Sequence, residues 1–328
     1  SSFADNSRTH LSFTVQTTGT DLTATHNAVF GSGLPIFNRM LIKSSNGLVI
    51  EDITQYHLLQ RLFTILSTEE EYRIQEGVYG VDDPDVTVGN QLLTGLKYTI
   101  QFNSGLLDKK LKSFLPLFMM GTGYALDLEL FLSSPAECLR LQGSGGTTPS
   151  NVSYSLTNPI LNLCLLKMDN QLCSRYNAIA CDPNESIVIP YTTYRCHVHT
   201  INSQTSVVHV NDASTNVRRV WSVFTPVSQT VSNALKLPFK GSSQQASAAE
   251  KITSYNYRLG NQFLFNEPVV EAADNKETLF FVKDSVWSND KPMILAKNES
   301  SLVTNFESAS KEMFFTVANM TYSAEEAR

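Results

Sequence analysis

Charged side chains are scarce in this sequence. Asp, Glu, Lys and Arg make up only 17% of its 328 residues, against about a quarter in an average globular protein. The 25 basic and 31 acidic residues give a net charge of −6 without a long basic run, which argues against strong direct binding to nucleic acid. Because 42% of the residues are apolar, a disordered or collagen-like chain is also excluded. This composition is typical of half-buried β-sheets, or of a surface that partners cover.

Long hydrophobic runs and paired cysteines are lacking as well. The longest uncharged apolar stretch, residues 113–126, is shorter than the roughly 18 residues of a membrane-spanning helix. Five cysteines occur, at positions 138, 164, 173, 181 and 196. None of them forms a CxxC pair, so we expect reduced thiols and folding in a reducing compartment. The sequence begins with Ser1 and shows no secretory pattern in its first thirty residues, so we expect a trimmed chain.

Signatures of catalysis are missing from the sequence. It contains no GxSxG, GxGxxG, Walker A or HExxH pattern. No residue is marked as a nucleophile or a general base, and no carboxylate pair lies in an obviously apolar setting. We therefore expect a protein that is not an enzyme, with no catalytic residue, no cofactor-binding residue and no cofactor.

One short cluster has the residue types of a metal site. In Cys196-His197-Val198-His199 the two histidines would lie on the same face of a strand and share a cation. Zinc would need a third and a fourth ligand. His209, Cys173 or Cys181 could supply them only if the fold brought them close to the two histidines. His197 and His199 are therefore weak metal candidates, and a plain strand with histidines facing solvent or a subunit contact is the favoured interpretation.

Hydrophobic residues alternate with polar ones in several segments, which predicts strands with one buried face. The clearest are residues 98–103 and 124–132, and in the second of these leucines alternate with Asp127 and Glu129. Further candidate strands are rich in β-branched and aromatic residues: 11–15, 160–168, 187–191, 207–210, 220–224, 278–282 and 313–317. A helical period of three to four residues occurs at 51–66 and predicts one helix of about four turns.

A stretch rich in Gly, Ser, Thr and Pro at residues 142–150 predicts a domain boundary. It divides the chain into domains 1–145 and 146–328, each with enough predicted strands for a sandwich of its own. The sequence therefore predicts an all-β protein built from two tandem β-sandwiches.

Several motifs resemble, in the same order, those of double jelly-roll major capsid proteins of the Polinton-like virus, virophage and adintovirus lineage. The matching segments are Phe102-Asn-Ser-Gly-Leu-Leu-Asp108, Ser113-Phe-Leu-Pro-Leu-Phe-Met-Met120, Tyr124-Ala-Leu-Asp-Leu-Glu-Leu-Phe-Leu132, Tyr154-Ser-Leu-Thr-Asn-Pro-Ile-Leu161, Tyr255-Asn-Tyr-Arg-Leu-Gly-Asn261 and Asn266-Glu-Pro-Val269. The chain departs from the family pattern at Leu259, where isoleucine is usual, and at Phe265 or Asn266, where a proline is often found.

This resemblance implies a double jelly roll, with two tandem eight-stranded jelly-roll β-sandwiches and a few short helices in loops. Residues 1–145 would form the N-terminal jelly roll and residues 146–328 the C-terminal one. Three copies would form a pseudo-hexameric homotrimer, and such capsomers would tile an icosahedral viral shell. The implied partners are neighbouring capsomers, penton and minor capsid proteins and, in some relatives, an internal membrane, without sequence-specific nucleic acid binding. The implied location is the virion capsid.

Three other functions remain open on the sequence. A carbohydrate-binding or adhesion β-sandwich protein would fit the architecture, although no calcium-like acidic cluster supports it. A minor capsid or cement protein would share the same fold. An enzyme with an unrecognised site is the third alternative, and it would require a deep pocket with perturbed ionisable groups.

Overall fold

A computed structural model gives the structure of the chain. It describes residues 2–19, 27–30, 36–67, 95–107, 114–117, 125–135, 139–142, 152–182, 184–185, 187–212, 214, 217–224, 252–270 and 315–320. Strands hold 47% of the described residues and helices few of them. The described part of the protein is therefore mostly β-structure, in agreement with the predicted all-β class.

The described residues form fourteen strands and two helices. The strands are β1 (Ser2–Gly19), β2 (Asn27–Phe30), β3 (Phe37–Ser44), β4 (Val49–Thr54), β5 (Leu96–Ile100), β6 (Leu126–Leu132), β7 (Leu139–Gln142), β8 (Val152–Lys167), β9 (Arg219–Val223), β10 (Ser254–Tyr255), β11 (Arg258–Leu259), β12 (Gln262–Phe263), β13 (Val269–Val270) and β14 (Phe315–Asn319). The helices are α1 (Tyr56–Ser67) and α2 (Asn170–Cys181). Neither of these helices, the two in the described ranges, is long and apolar enough to cross a membrane.

The chain divides into two compact units. The first comprises Ser1–Phe63 and Ile74–His197, and the second comprises Thr64–Arg73 and Val198–Arg328. The boundary predicted between residues 145 and 146 lies outside the described residues, so the predicted domains 1–145 and 146–328 stay a prediction.

The first unit contains two three-stranded antiparallel sheets, with strand orders β5-β1-β8 and β4-β3-β6, and the two-stranded pair β2-β7. Both larger sheets contribute to one apolar core. Phe13 of β1 makes an edge-on contact with Phe37 of β3 at a centroid distance of 5.6 Å and stacks on Tyr98 of β5 at 6.0 Å. Such aromatic contacts stabilise a core beyond the burial of area alone. Alternate residues of β1, from Leu11 to Val15, supply the inward side chains, as the period of two requires.

The second unit contains three antiparallel pairs, β14-β9, β10-β13 and β11-β12. The β11-β12 pair is a hairpin whose turn includes Gly260 with a φ of +58°, a left-handed conformation that favours glycine. Its tip projects two exposed apolar side chains, Leu259 and Phe263.

The predicted helix at 51–66 is correct in its second half and wrong at its start. Residues 51–54 belong to β4, where Glu51 and Ile53 point inward and Asp52 and Thr54 point outward. Gln55 then adopts a φ of +53°, which ends the strand before α1 begins. Ile53 lies in β4 and Tyr56 begins α1. The two residues are three positions apart in the sequence, so their spacing looks like that of a helix although only Tyr56 belongs to one.

Most of the predicted strands that lie in the described residues are confirmed. Segments 11–15, 98–103 and 124–132 overlap β1, β5 and β6, while 160–168, 220–224 and 313–317 overlap β8, β9 and β14. Segments 187–191 and 207–210 are wrong as strands, because the described residues give them no ladder partner. Segment 278–282 lies outside the described residues.

Candidate assembly surface

A buried carboxylate organises the Ser-Gly-Leu-Leu turn that follows β5. Glu51 is only 2% exposed. One of its oxygens, Oε1, accepts hydrogen bonds from the Gly105 amide at 2.7 Å and from Thr193 Oγ1 at 2.6 Å. The other, Oε2, accepts a longer bond of 3.4 Å from the Leu106 amide. These groups (Glu51, Gly105, Leu106 and Thr193) form what we call the Glu51 hub, in which a charged acceptor satisfies buried backbone donors.

The rest of this turn is satisfied by side chains from other elements. Asn6 of β1 donates to the carbonyl oxygen of Leu106 at 2.7 Å, and Ser104 Oγ accepts from the Leu107 amide at 2.8 Å. On the α1 side, the Tyr56 hydroxyl accepts from the Asn103 amide at 3.0 Å. These hydrogen bonds hold the turn firmly against β1, β4 and α1. Breaking one of them would leave a buried polar group without a partner, which is costly.

The segment at residues 187–197 lies against this turn. Tyr191 donates its hydroxyl hydrogen bond to the carbonyl oxygen of Ile50 at 3.2 Å. A Cβ atom added to Gly105 would lie 2.4 Å from the Tyr191 ring and 2.7 Å from the Thr192 carbonyl oxygen, so only glycine permits this approach. Desolvation raises the pKa of Tyr191, and the negative charge of Glu51 adds to the effect. The hub therefore fixes the segment in place by contacts at both Gly105 and Glu51.

In the second unit a partly buried tyrosine connects the segment around β10 to the β14-β9 sheet. The Tyr257 hydroxyl bonds to Ser222 Oγ at 2.8 Å and to Thr316 Oγ1 at 2.7 Å. Its ring packs edge-on against Tyr255 and Phe265. Desolvation raises the pKa of Tyr257, while the bonds to Ser222 and Thr316 act in the opposite direction. Tyr255 and Tyr257 belong to the segment Tyr255-Asn-Tyr-Arg-Leu-Gly-Asn261 that resembles a capsid motif, and they pack with Phe265 as one aromatic cluster.

The outer face of the β4-β3-β6 sheet carries paired charges. Arg39 donates two hydrogen bonds to the carboxylate of Asp52, at 2.7 and 2.6 Å, and its guanidinium lies 5.3 Å from the centre of the Phe131 ring. The hydrogen bond from Arg39 lowers the pKa of Asp52. Lys43 forms a second ion pair with Glu129. This face has the charges that normally protect a solvated sheet from association.

Strand β8, an edge strand among the described residues, carries few charges. It lies at the end of the order β5-β1-β8, and beyond its bulge at Asn158, which has a φ of +52°, only Lys167 is charged. Leu161, Leu163 and Leu165 alternate along this half and are between 41% and 55% exposed. They point to the core side of the sheet, because Leu161 pairs with Leu11, a core residue. We call these three residues the β8 leucine row.

A second uncovered stretch lies in the second unit at residues 198–210. It contains no Asp, Glu, Lys or Arg, and it exposes five aliphatic side chains: Val198, Ile201, Val207, Val208 and Val210. Within the described residues this stretch forms a single hydrogen bond, from Ser203 Oγ to the carbonyl oxygen of Thr205 at 2.6 Å. We call it the unpaired segment. Exposed apolar surface of this kind marks sites of interaction.

The predicted metal candidates lie in and beside this stretch. Cys196, His197 and His199 are exposed and lie outside any assigned strand. Cys173 is buried in α2 and Cys181 is exposed at its end. The described residues contain no group of three or more His, Cys, Asp or Glu side chains placed to hold a metal ion. The metal site at His197 and His199 therefore stays a weak prediction without a third ligand in the described ranges.

Glu51 could not be identified from the sequence in this way, because it begins the segment 51–66 whose spacing predicts a helix. Its position on the buried face of a strand was therefore not recognised. The signal that would have found it is the alternation of Val49-Ile-Glu-Asp-Ile-Thr54, which puts the acid on the same strand face as Ile53. In comparisons with known proteins, no family model, no curated protein and no solved structure matches the chain.

Proposed function

We propose that the protein is a major capsid protein. In this proposal each half of the chain is an eight-stranded jelly roll, three copies form a capsomer of pseudo-hexagonal outline, and capsomers tile an icosahedral shell. Neighbouring capsomers, penton and minor capsid proteins are its partners, and the virion is its location. The protein then acts through its surfaces and not through a catalytic centre.

The observation that carries the proposal is the contrast between two strand surfaces of the first unit. The β4-β3-β6 sheet bears ion pairs such as Arg39 with Asp52, as expected for a solvated face. The β8 edge bears the β8 leucine row and one charge over residues 160–167. Permanent assemblies bury apolar surfaces depleted of Lys, Glu and Asp. A chain whose long edge strand exposes a row of leucines and carries a single charge therefore fits a subunit that is always assembled.

The resemblance of motifs supports the same proposal independently of the edge. The Ser-Gly-Leu-Leu motif is the turn that the Glu51 hub holds, through Gly105 and Leu106. Tyr255 and Tyr257, from the later motif, pack with Phe265 as a cluster in the second unit. Both motifs thus contain residues that the fold uses for packing, which is what a structural subunit requires of them.

The test is the native mass of the purified full-length chain, measured by light scattering across a hundredfold range of concentration. We expect a stable species of three chains of 36.4 kDa each. A matched pair of variants controls for non-specific hydrophobic association. Leu163→Lys on the β8 edge is expected to weaken the trimer, whereas Leu48→Lys on the exposed β3-β4 turn is expected to leave it unchanged. A chain that stays monomeric at every concentration would overturn the proposal.

A further inference from the structure

The unpaired segment has the composition of a strand but no strand partner among the described residues. It is assigned neither helix nor strand on either side of the bend at Ser203–Thr205, and its last part, residues 207–210, reads Val-Val-His-Val. β-Branched residues favour strands, yet no described residue pairs with this part. With respect to the described residues, its backbone donors and acceptors are available for a ladder with another strand.

The β8 edge has the complementary properties. Residues 160–167 follow the Asn158–Pro159 bulge, contain no further proline and carry one charge, Lys167. The other three edge strands of the two larger sheets are charged or shorter: β4 carries Glu51 and Asp52, β6 carries Asp127 and Glu129, and β5 has five residues with Lys97. Unprotected edges of this length pair with other strands unless something covers them. β8 is thus the best acceptor edge in the described residues.

We propose that residues 207–210 of one copy add as a strand to residues 160–165 of β8 in a second copy. The added strand would lay Val208 and Val210 over the β8 leucine row, since alternate residues share a face. Main-chain hydrogen bonds would give affinity, and the valine–leucine contacts would give register. The contact joins two different patches and is therefore heterologous, and a heterologous contact closes into a ring of identical subunits when the rotation between copies permits it. The inference rests on the proposed function, because it assumes that copies of the chain associate.

The experiment uses hydrogen exchange and native mass on the full chain. In the associated wild type, amides of residues 207–210 and 160–165 are expected to exchange at least tenfold more slowly than in a sample diluted to monomer. Val208→Lys and Leu163→Glu are each expected to weaken association about tenfold or more, because each puts a charge into an apolar contact. The double variant is expected to restore association to within about threefold of the wild type, since the opposite charges face each other.

Val188→Lys is the matched control, because Val188 is 78% exposed and lies outside both proposed strands. If copies associate but neither segment gains protection, the strand exchange is wrong while the proposed capsomer stands. The strand exchange is likewise wrong, and the proposed capsomer stands, if Val208→Lys and Leu163→Glu both associate as strongly as Val188→Lys. If the wild type never associates, both the inference and the proposed function are overturned. The exchange measurement needs no substitution, so a variant that misfolds does not remove the test.

Discussion

The Glu51 hub allows a sharp prediction about stability. In Glu51→Ala, the Gly105 amide and the Thr193 hydroxyl lose the acceptor that now lies 2.7 and 2.6 Å away. A hydrogen bond to a charged group contributes about 1.5–3 kcal/mol, and a buried donor left without a partner costs about 1–3 kcal/mol. The 3.4 Å bond from Leu106 adds little.

Removing the carboxylate also removes the cost of burying a charge, which offsets part of this loss. We therefore expect the free energy of unfolding of the first unit to fall by about 3 kcal/mol. For a unit of this size, 1 kcal/mol corresponds to about 2–4 °C in Tm, so Tm is expected to fall by about 6–12 °C. Glu51→Gln keeps an acceptor oxygen and the shape of the side chain, and it is expected to lose about 1 kcal/mol.

Circular dichroism during heating measures the Tm, and hydrogen exchange at residues 105 and 106 reports the hub locally. Glu129→Ala is the control, because Glu129 forms a surface ion pair with Lys43; exposed pairs contribute little, so its Tm is expected to change by less than about 2 °C. The reasoning is refuted if Glu51→Ala lowers Tm no more than Glu129→Ala and the amides of Gly105 and Leu106 stay protected.

Three further predictions follow from single contacts. Burial raises the pKa of the Tyr257 phenol, so the stability that this residue contributes is complete below pH 10 and is lost as the pH rises towards the folded-state pKa. The stability of Tyr257→Phe should therefore fall less steeply with pH above pH 10 than that of the wild type, in alkaline titrations followed by circular dichroism. Gly105→Ala should lose about 1–3 kcal/mol of stability in urea unfolding, because its new Cβ would meet the Tyr191 ring at 2.4 Å; an unchanged midpoint would show that the segment is not packed there. At pH 8, iodoacetamide should label Cys196 more slowly than Cys181, because desolvation raises the pKa of the Cys196 thiol; equal rates, read by mass spectrometry, would contradict this.

The fold class and most strands could be predicted because their signal is local. In β6, leucines alternate with Asp127 and Glu129, and a period of two is visible in seven residues. The helix α2 could not be predicted in this way, since its residues Asn170–Cys181 are mixed in polarity and only Cys173 is buried. Its position follows from tertiary packing, where Tyr176 contacts the Phe3 ring edge-on at 5.2 Å.

The candidate site was harder to predict for a related reason. Glu51 and Gly105 are 54 residues apart in the sequence, and nothing local in either segment indicates that they meet. The β8 edge could be located from its alternation, but its exposure depends on which strand ends the sheet, and that is a property of topology. Segment 207–210 has the local pattern of a strand, and only the fold shows that no described residue pairs with it.

The most direct test of the capsid account is negative-stain electron microscopy of the purified full-length chain at the concentration where its native mass is measured. The account predicts uniform particles of three chains with a hexagonal outline, and shell-like assemblies as the concentration rises. Compact particles of a single chain at every concentration would contradict it.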